Sequence, residues 1–327
     1  MFLIKTWRST AFGLYGYLNF TKSGFIEHSK KFVPEETQIR IDGKNCVVTG
    51  ANSGIGFATA KGLASRYSTF ICYFLLQLYV EIRRGETAAS EIKSVTGNQN
   101  VYLEVCDLSS VSDIKSFASR FSSKDAPLHV LVNNAGILEH EWITTPEGFE
   151  LNFAVNALGT FAMTELMLPL LEKAPPDARV ITVSSGGMYT SPLTRDLQYS
   201  GPKFDGVEQY ARNKRLLVAL TEKWANMYEN KGIGFYSMHP GWADTPGVSR
   251  SLPGFSKSLS GNLRTSDEGA DTVIWLALQP KEKLKSGSFY FDRAEVAKHL
   301  KFAATTSNGA LIDEIYNDLR SMCSISS

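Results

Sequence analysis

Tyr210 and Lys214 stand four residues apart in the stretch Tyr210-Ala211-Arg212-Asn213-Lys214, and on a helix that spacing puts both side chains on one face. A phenol and an ammonium so placed make an acid/base pair, because a nearby positive charge stabilises the phenolate and brings down a pKa that is ordinarily about 10. Spacing alone is thin support: a chain with 13 tyrosines yields Tyr-x-x-x-Lys roughly once by chance. Tyr199 and Lys203 repeat the spacing with Gly201 and Pro202 between them, and a proline there forbids the regular helix. After Tyr210, by contrast, Leu216, Leu217, Leu220 and Trp224 recur at helical intervals among charged residues, the pattern of an amphipathic helix.

What positions the pair must come from the rest of the chain. Its 327 residues, 43% hydrophobic, suffice for one large α/β domain with extensions or for two smaller domains. A formal net charge of +1 without long runs of like charge argues against nucleic acid as a partner and favours small molecules. Cys46, Cys72, Cys106 and Cys323 lack Cys-x-x-Cys spacing and read as free thiols in a reducing, cytoplasmic compartment. The five histidines are scattered, so no metal site is expected. The first 20 residues are rich in aromatics, with Lys5, Arg8 and Lys22 nearby. They admit two readings, a helix packed on the protein's own body or an amphipathic segment making peripheral membrane contact.

From Gly43 onward short apolar runs alternate with longer amphipathic ones. The runs Asn45 to Val48, Val101 to Val105, Val130 to Val132, Arg179 to Val183, Gly234 to Met238 and Ser288 to Phe291 read as strands. Gly56 to Ser65, Val111 to Phe121, Gly148 to Leu171, Tyr210 to Asn226 and Ala270 to Ala277 read as helices. Such alternation implies a doubly wound α/β fold, Rossmann-like, with a mostly parallel sheet. We divide the chain into an extension (1–42), one domain (43–305) with a lid rich in Gly, Ser and Pro (246–265), and a carboxyl-terminal helix and tail (306–327).

Ligands of such sheets sit at the carboxyl ends of strands. Five runs end there in tight or polar residues. Thr49-Gly50-Ala51-Asn52-Ser53-Gly54-Ile55-Gly56 supplies a tight turn and a helix amino terminus suited to a phosphate. Asp107, followed by Leu108, can accept from an adenine amino group or cap the helix near Val111. Asn133-Asn134-Ala135-Gly136 lets a flat ligand lie against backbone. Ser184 and Ser185 close the fourth run and His239-Pro240-Gly241-Trp242 the fifth. Met188, Tyr189, Trp242, Leu252 and Phe255 would line an apolar pocket or serve as local packing.

Taken in order, these motifs resemble the short-chain dehydrogenase/reductase family: Thr49-Gly50-x-x-x-Gly54-x-Gly56, Asn133-Asn134-Ala135-Gly136, a mid-helix Asn156, Ser185, Tyr210-x-x-x-Lys214 and Pro240-Gly241. Thr21 to Gly24, Phe32 to Pro34 and Phe204-Asp205-Gly206 are similar to one subgroup of that family, which implies that the extension belongs to the protein. The resemblance implies an NAD(P)-dependent oxidoreductase interconverting a carbonyl and a secondary alcohol; the apolar pocket residues would suit an apolar substrate, and a homo-oligomer is a compatible assembly. The resemblance also implies Tyr210 as acid/base, Lys214 holding the nicotinamide ribose, Ser185 positioning the substrate oxygen and Asn156 supporting a water beside Lys214. The implied cofactor-binding set is Gly50, Asn52, Ser53, Gly54, Ile55, Gly56, Asp107, Leu108, Asn134, Ala135, Gly136, Tyr210, Lys214, Pro240, Gly241, Trp242 and Thr245.

The chain departs from the family between Tyr67 and Arg84. The turn glycine and strand-end motif expected there are missing. The apolar run Phe70 to Val80 has about half of the ~20 residues that span a bilayer. A buried strand with a lengthened connection and an error in the deduced sequence both fit. Lack of an acid at the strand end, with Arg83 and Arg84 close by, tilts cofactor choice toward NADP over NAD. A nucleotide-binding scaffold without turnover is the competing function, and a membrane-surface protein is a third.

Overall fold

Neighbouring residues in the apolar runs point to opposite faces, and both faces are buried. Val47, Leu131, Val180 and Phe235 join one core cluster, with Phe117, Phe161, Trp224 and Ile315. Their neighbours Cys46, Val48, Val132, Ile181 and Tyr236 join another, with Ala60, Ile92, Val273 and Leu276. Strands apolar on both sides belong in a sheet covered by helices on both faces. The computed structural model describes residues 6–40, 42–66, 83–174, 176, 178–301, 303–306 and 309–325, and the backbone alone of 2–5, 71–76 and 82.

Among the described residues eight strands form one sheet: β1 (Asn45–Thr49), β2 (Ile71–Leu76), β3 (Val101–Val105), β4 (Val130–Asn133), β5 (Ala178–Val183), β6 (Ile233–Met238), β7 (Phe289–Phe291) and β8 (Ala294–Val296). Their order is β3-β2-β1-β4-β5-β6-β7-β8, and every pair is parallel except β7 with β8. This is the doubly wound topology, with its crevice where the order reverses between β1 and β4. β2 pairs in register with β1 and β3, Cys72 standing between Cys46 and Val101. Tyr67–Phe70 and Gln77–Glu81, on which the readings of a lengthened connection and of a sequence error both bear, lie outside the described residues.

Helix limits follow capping chemistry. The helix bearing the Tyr–Lys pair runs Gly206–Met227, four residues earlier than periodicity alone suggests. Asp205 accepts from the Val207 and Glu208 amides at 3.1 and 3.0 Å, a strong amino-terminal cap. Tyr199 lies before it in a left-handed conformation, φ 61°, so its pair with Lys203 shares no helical face. The helix Leu151–Leu171 is long and apolar enough to cross a membrane but is buried in the core, with a π-helical turn at Ala154–Gly159. The carboxyl-terminal helix Gly309–Met322 is tied to it through buried Glu165, which accepts from Trp224 Nε1 at 2.7 Å, Tyr316 Oη at 2.8 Å and Arg320 at 3.1 Å.

The extension packs against the body. Its helices Phe2–Asn19 and Lys22–Ser29 flank buried Phe20, which clusters with Met188, Tyr189, Phe289 and Phe291. Arg264, buried in the lid's last turn, fastens this joint. It donates to the Asn19 carbonyl at 2.8 Å and the Phe20 carbonyl at 2.9 Å, and pairs bidentately with Asp292 at 2.6 and 2.8 Å. Asp292 and Arg293 form the β7–β8 turn at φ 47° and 60°, the two-residue turn that matches hairpin twist.

Candidate active site

The carboxyl ends of β1 and β4 are latched together. Thr49 Oγ1 accepts from the Asn134 and Ala135 amides, each at 2.9 Å, and Asn134 Nδ2 donates to the Thr49 carbonyl at 2.9 Å. Asn134 therefore holds the turn in shape. Gly50 sits at φ 66° and Gly54 at φ 55°, a left-handed region that favours glycine. A β-carbon on Gly56 would stand 2.2 Å from the Gly50 carbonyl oxygen. Ser53, at the amino-terminal cap of the helix Gly54–Ala64, makes no side-chain capping bond, so the first amides keep their capacity for an anion. Ile55 faces Gly269, 3.1 Å from where a β-carbon there would lie. A turn this tight, backed by the small residues Ala135 and Gly136, fits a dinucleotide's pyrophosphate.

Asn52 and Ser53 open on a cleft of about 350 Å³ that Phe57, Arg83, Arg84, Thr87, Ala88 and Glu91 complete. Asp107 lies one strand further along. Its Oδ1 accepts from the Ser109 amide at 2.8 Å and Ser109 Oγ at 2.7 Å. The helix at Val111 is capped otherwise, by Ser110 and by Glu147, whose carboxylate accepts from the Val111 amide at 2.9 Å and the Ser112 amide at 3.1 Å. The capping alternative for Asp107 is thus corrected. Leu108 is buried, and its carbonyl oxygen would be 2.2 Å from a β-carbon on Gly159, which fixes this loop on the π-helical turn.

That turn presents Asn156, fully buried, whose Oδ1 accepts from the Ile137 amide and whose Nδ2 donates to the Ile137 carbonyl, both at 2.8 Å. Asn156 is a two-point clamp on the strand-end loop. Beside it, Lys214 Nζ lies 3.3 Å from the β-carbon position of Gly136 and donates to the Val183 carbonyl at 2.9 Å. Burial brings the Lys214 pKa down to about 8. Its ammonium is 5.5 Å from the centre of the Tyr210 ring, on one face as the spacing requires. The expected lowering of the tyrosine is not found: burial pushes the Tyr210 pKa up, and only an interaction with the Ser185 side chain opposes it. Desolvation of the buried phenol dominates.

Of the two serines, Ser184 is buried and donates to the Lys214 carbonyl at 2.8 Å. Ser185 caps the short helix Gly186–Thr190, accepting from the Gly187 amide at 3.2 Å, and reaches Tyr210.

After β6, Gly241 at φ 76° leaves room for Arg264, whose Nε would be 2.3 Å from a β-carbon there. Trp242, following Pro240 and Gly241, donates its amide to the Phe20 carbonyl at 2.7 Å. Its ring packs among Phe12, Phe20 and Phe255, with centroids 6.2, 5.8 and 5.1 Å away. Thr245 caps the helix Pro246–Ser251 and stands 3.2 Å from the β-carbon position of Gly54, so the root of the lid adjoins the glycine turn. The lid itself folds as Pro246–Ser251 and Pro253–Ser258. Arg250 pairs with Glu139, and the His140 ring lies 2.6 Å from the Ser251 carbonyl. Met188 and Tyr189 are core packing.

His239 carries a role that the sequence reading left out. Its Nδ1 accepts from the Gly186 amide at 2.9 Å, next to Ser185. Burial, with Arg264 nearby, holds its pKa well below the ordinary range, so it is neutral. The proton then sits on Nε2, which has no hydrogen-bond partner among the described residues, and the imidazole packs edge-to-face with the Phe20 ring, 4.3 Å between centroids at 79°. Arg264 was also hidden, since its partners lie some 245 residues earlier and 28 later and no local pattern marks it. Cys46, Cys106 and Cys323 are buried; the Cys72 side chain lies outside those described. Among the described residues no three His, Cys, Asp or Glu side chains converge as a metal site would.

A doubly wound sheet with this glycine turn and this Ser, Tyr and Lys at its carboxyl edge defines a class of oxidoreductase. The chain belongs to the short-chain dehydrogenase family, whose description, short chain dehydrogenase, matches residues 44–253. Among its relatives, dehydrogenase/reductase SDR family member 12 of Bos taurus is 44% identical over 308 residues, 93% of this chain and 94% of that protein. Retinol dehydrogenase 12 of Homo sapiens is 35% identical over 262 residues, 78% of this chain and 80% of that one. The solved NADP active-site complex of Pseudomonas aeruginosa RhlG shares the fold, with a TM-score of 0.62 at 21% identity over 79% of this chain and 96% of that chain.

Proposed function

We propose that the protein interconverts an apolar carbonyl compound and the corresponding secondary alcohol, with NADP(H) as preferred cofactor and Tyr210 as acid/base. The observation that carries this reading is the convergence of Ser185, Tyr210 and Lys214 beside Gly136. When bound, the reduced nicotinamide supplies a hydride. Tyr210, kept protonated by its raised pKa, donates its proton to the alkoxide that develops on the substrate oxygen. Ser185 donates a hydrogen bond to that oxygen and fixes its distance from the phenol. Lys214, held at the Val183 carbonyl, offers further N–H donors to the ribose hydroxyls and a positive charge that offsets the phenolate. Asn156 positions the loop over which the nicotinamide would lie.

Preference for NADP rests on Arg83 and Arg84 lining the cleft that begins at Asn52 and Ser53, where two guanidinium groups suit a ribose phosphate. The complex of RhlG with NADP is consistent with that choice.

Fluorescence titration of the purified protein with NADPH and NADH tests it. Tight binding of NADPH, weakened about tenfold or more by Arg83→Ala with Arg84→Ala, is the expected result. Binding of neither dinucleotide would overturn the reading, and equal affinity for both would remove the NADP preference alone.

A further inference from the structure

The helix Phe2–Asn19 carries apolar side chains on two opposite faces. The inner face is accounted for: Phe12 packs on Trp242, Tyr15 on Tyr189 with centroids 6.0 Å apart, and Gly16 lies against the Trp242 ring. The outer face is not. Trp7, Leu14 and Leu18 recur at i, i+7 and i+11, one stripe of a helix, with Tyr17 at its margin. Leu14 is 65% exposed and Leu18 62%, and Trp7, Tyr17 and Ile26 of the next helix are exposed as well. Scattered apolar residues on a surface mean little, whereas a contiguous stripe with a tryptophan marks an interaction face.

Charge selects the occupant. Residues 1–31 carry Lys5, Arg8, Lys22, Lys30 and Lys31 against Glu27 alone, a net +4, while the chain as a whole is at +1. The remainder is therefore net negative, and positive charge is concentrated in the extension that carries the apolar stripe. Pairing of two copies through this face would oppose two segments of +4. An anionic bilayer complements both properties, since its headgroup region takes apolar side chains to a shallow depth and attracts Lys and Arg.

We propose that the outer face of this helix docks flat on an anionic lipid surface, with Trp7, Leu14 and Leu18 entering the interface. The inner face touches Trp242 and approaches Gly186 beside Ser185, so the docked helix is also a wall of the candidate site. Docking is independent of the proposed chemistry.

Cosedimentation of the full chain with vesicles of phosphatidylcholine, and of phosphatidylcholine with phosphatidylserine, tests the proposal. The expected result is binding to the phosphatidylserine vesicles that weakens with salt. Trp7→Ser, Leu14→Ser and Leu18→Ser combined reduce it at least tenfold, with the circular dichroism and thermal unfolding of the wild type retained. Lys30→Glu with Lys31→Glu lowers binding to anionic vesicles alone. Failure of the wild type to bind either vesicle would overturn the proposal. So would undiminished binding by the triple variant, or a triple variant that only converts a dimer to a monomer.

Discussion

The Ser184 hydroxyl donates to the Lys214 carbonyl at 2.8 Å, across from the helix that also bears Tyr210. Its neighbour Ser185 caps Gly186–Thr190 and reaches Tyr210 instead. Adjacent serines on a strand point opposite ways, and here one is buried in structure while the other borders the site. Ser184→Ala leaves a buried carbonyl without its donor and lowers stability by about 1–3 kcal/mol. Ser185→Ala removes the cap of Gly186–Thr190, costs about 0.5–2 kcal/mol and reduces turnover on the order of 100-fold. Thermal denaturation alongside steady-state kinetics separates the two.

Gly56→Ala puts a methyl group 2.2 Å from the Gly50 carbonyl oxygen and 2.4 Å from Asn134 Nδ2. Neither neighbour can give way, since one is backbone and the other is latched to Thr49. The expected cost is about 1–3 kcal/mol, together with loss of dinucleotide binding in the titration described above.

Asp292→Ala removes the carboxylate that pairs bidentately with Arg264 in the core. A buried guanidinium left uncompensated costs about 3–5 kcal/mol. Because Arg264 also holds the Asn19 and Phe20 carbonyls, proteolysis should open first near residue 20. Replacing Arg264 and Asp292 together by apolar residues should cost less than Asp292→Ala alone.

The pKa of Lys214 falls from 10.5 to about 8 on burial. The folded protein thus binds fewer protons than the unfolded chain between pH 8 and 10.5, and stability from this group rises with pH across that window. Tyr210, raised on folding, works the other way above its unfolded pKa of about 10. Lys214→Met should therefore abolish a gain in thermal stability between about pH 8 and pH 10 relative to wild type, measured by calorimetry at fixed ionic strength.

Much of the fold was legible because β1, β4, β5 and β6 are buried on both faces, which writes unbroken apolar runs bounded by glycine and polar residues. β8 was missed: Ala294-Glu295-Val296 is a short edge strand without alternation, recognisable only once Asp292 and Arg293 turn the chain. Asp107 was ambiguous because Glu147, distant in sequence, supplies the helix cap. Asn156 was placed in the site, but its clamp on Ile137 depends on a fold that spacing does not reveal. The raised pKa of Tyr210 escaped for the same reason: four-residue spacing brings Lys214 near, yet the Val183 carbonyl decides where the ammonium points. His239 and Arg264 act through partners at Phe20 and Asp292, contacts that no local motif encodes.

Turnover by Tyr210→Phe is the most direct test of the central claim. Wild type and variant would be assayed over a panel of apolar aldehydes and ketones with NADPH, with cofactor binding checked in parallel. The account predicts at least one reduced carbonyl substrate for the wild type, and a variant that still binds NADPH but has lost on the order of 100-fold or more in kcat. A variant that turns over as fast as wild type would contradict it.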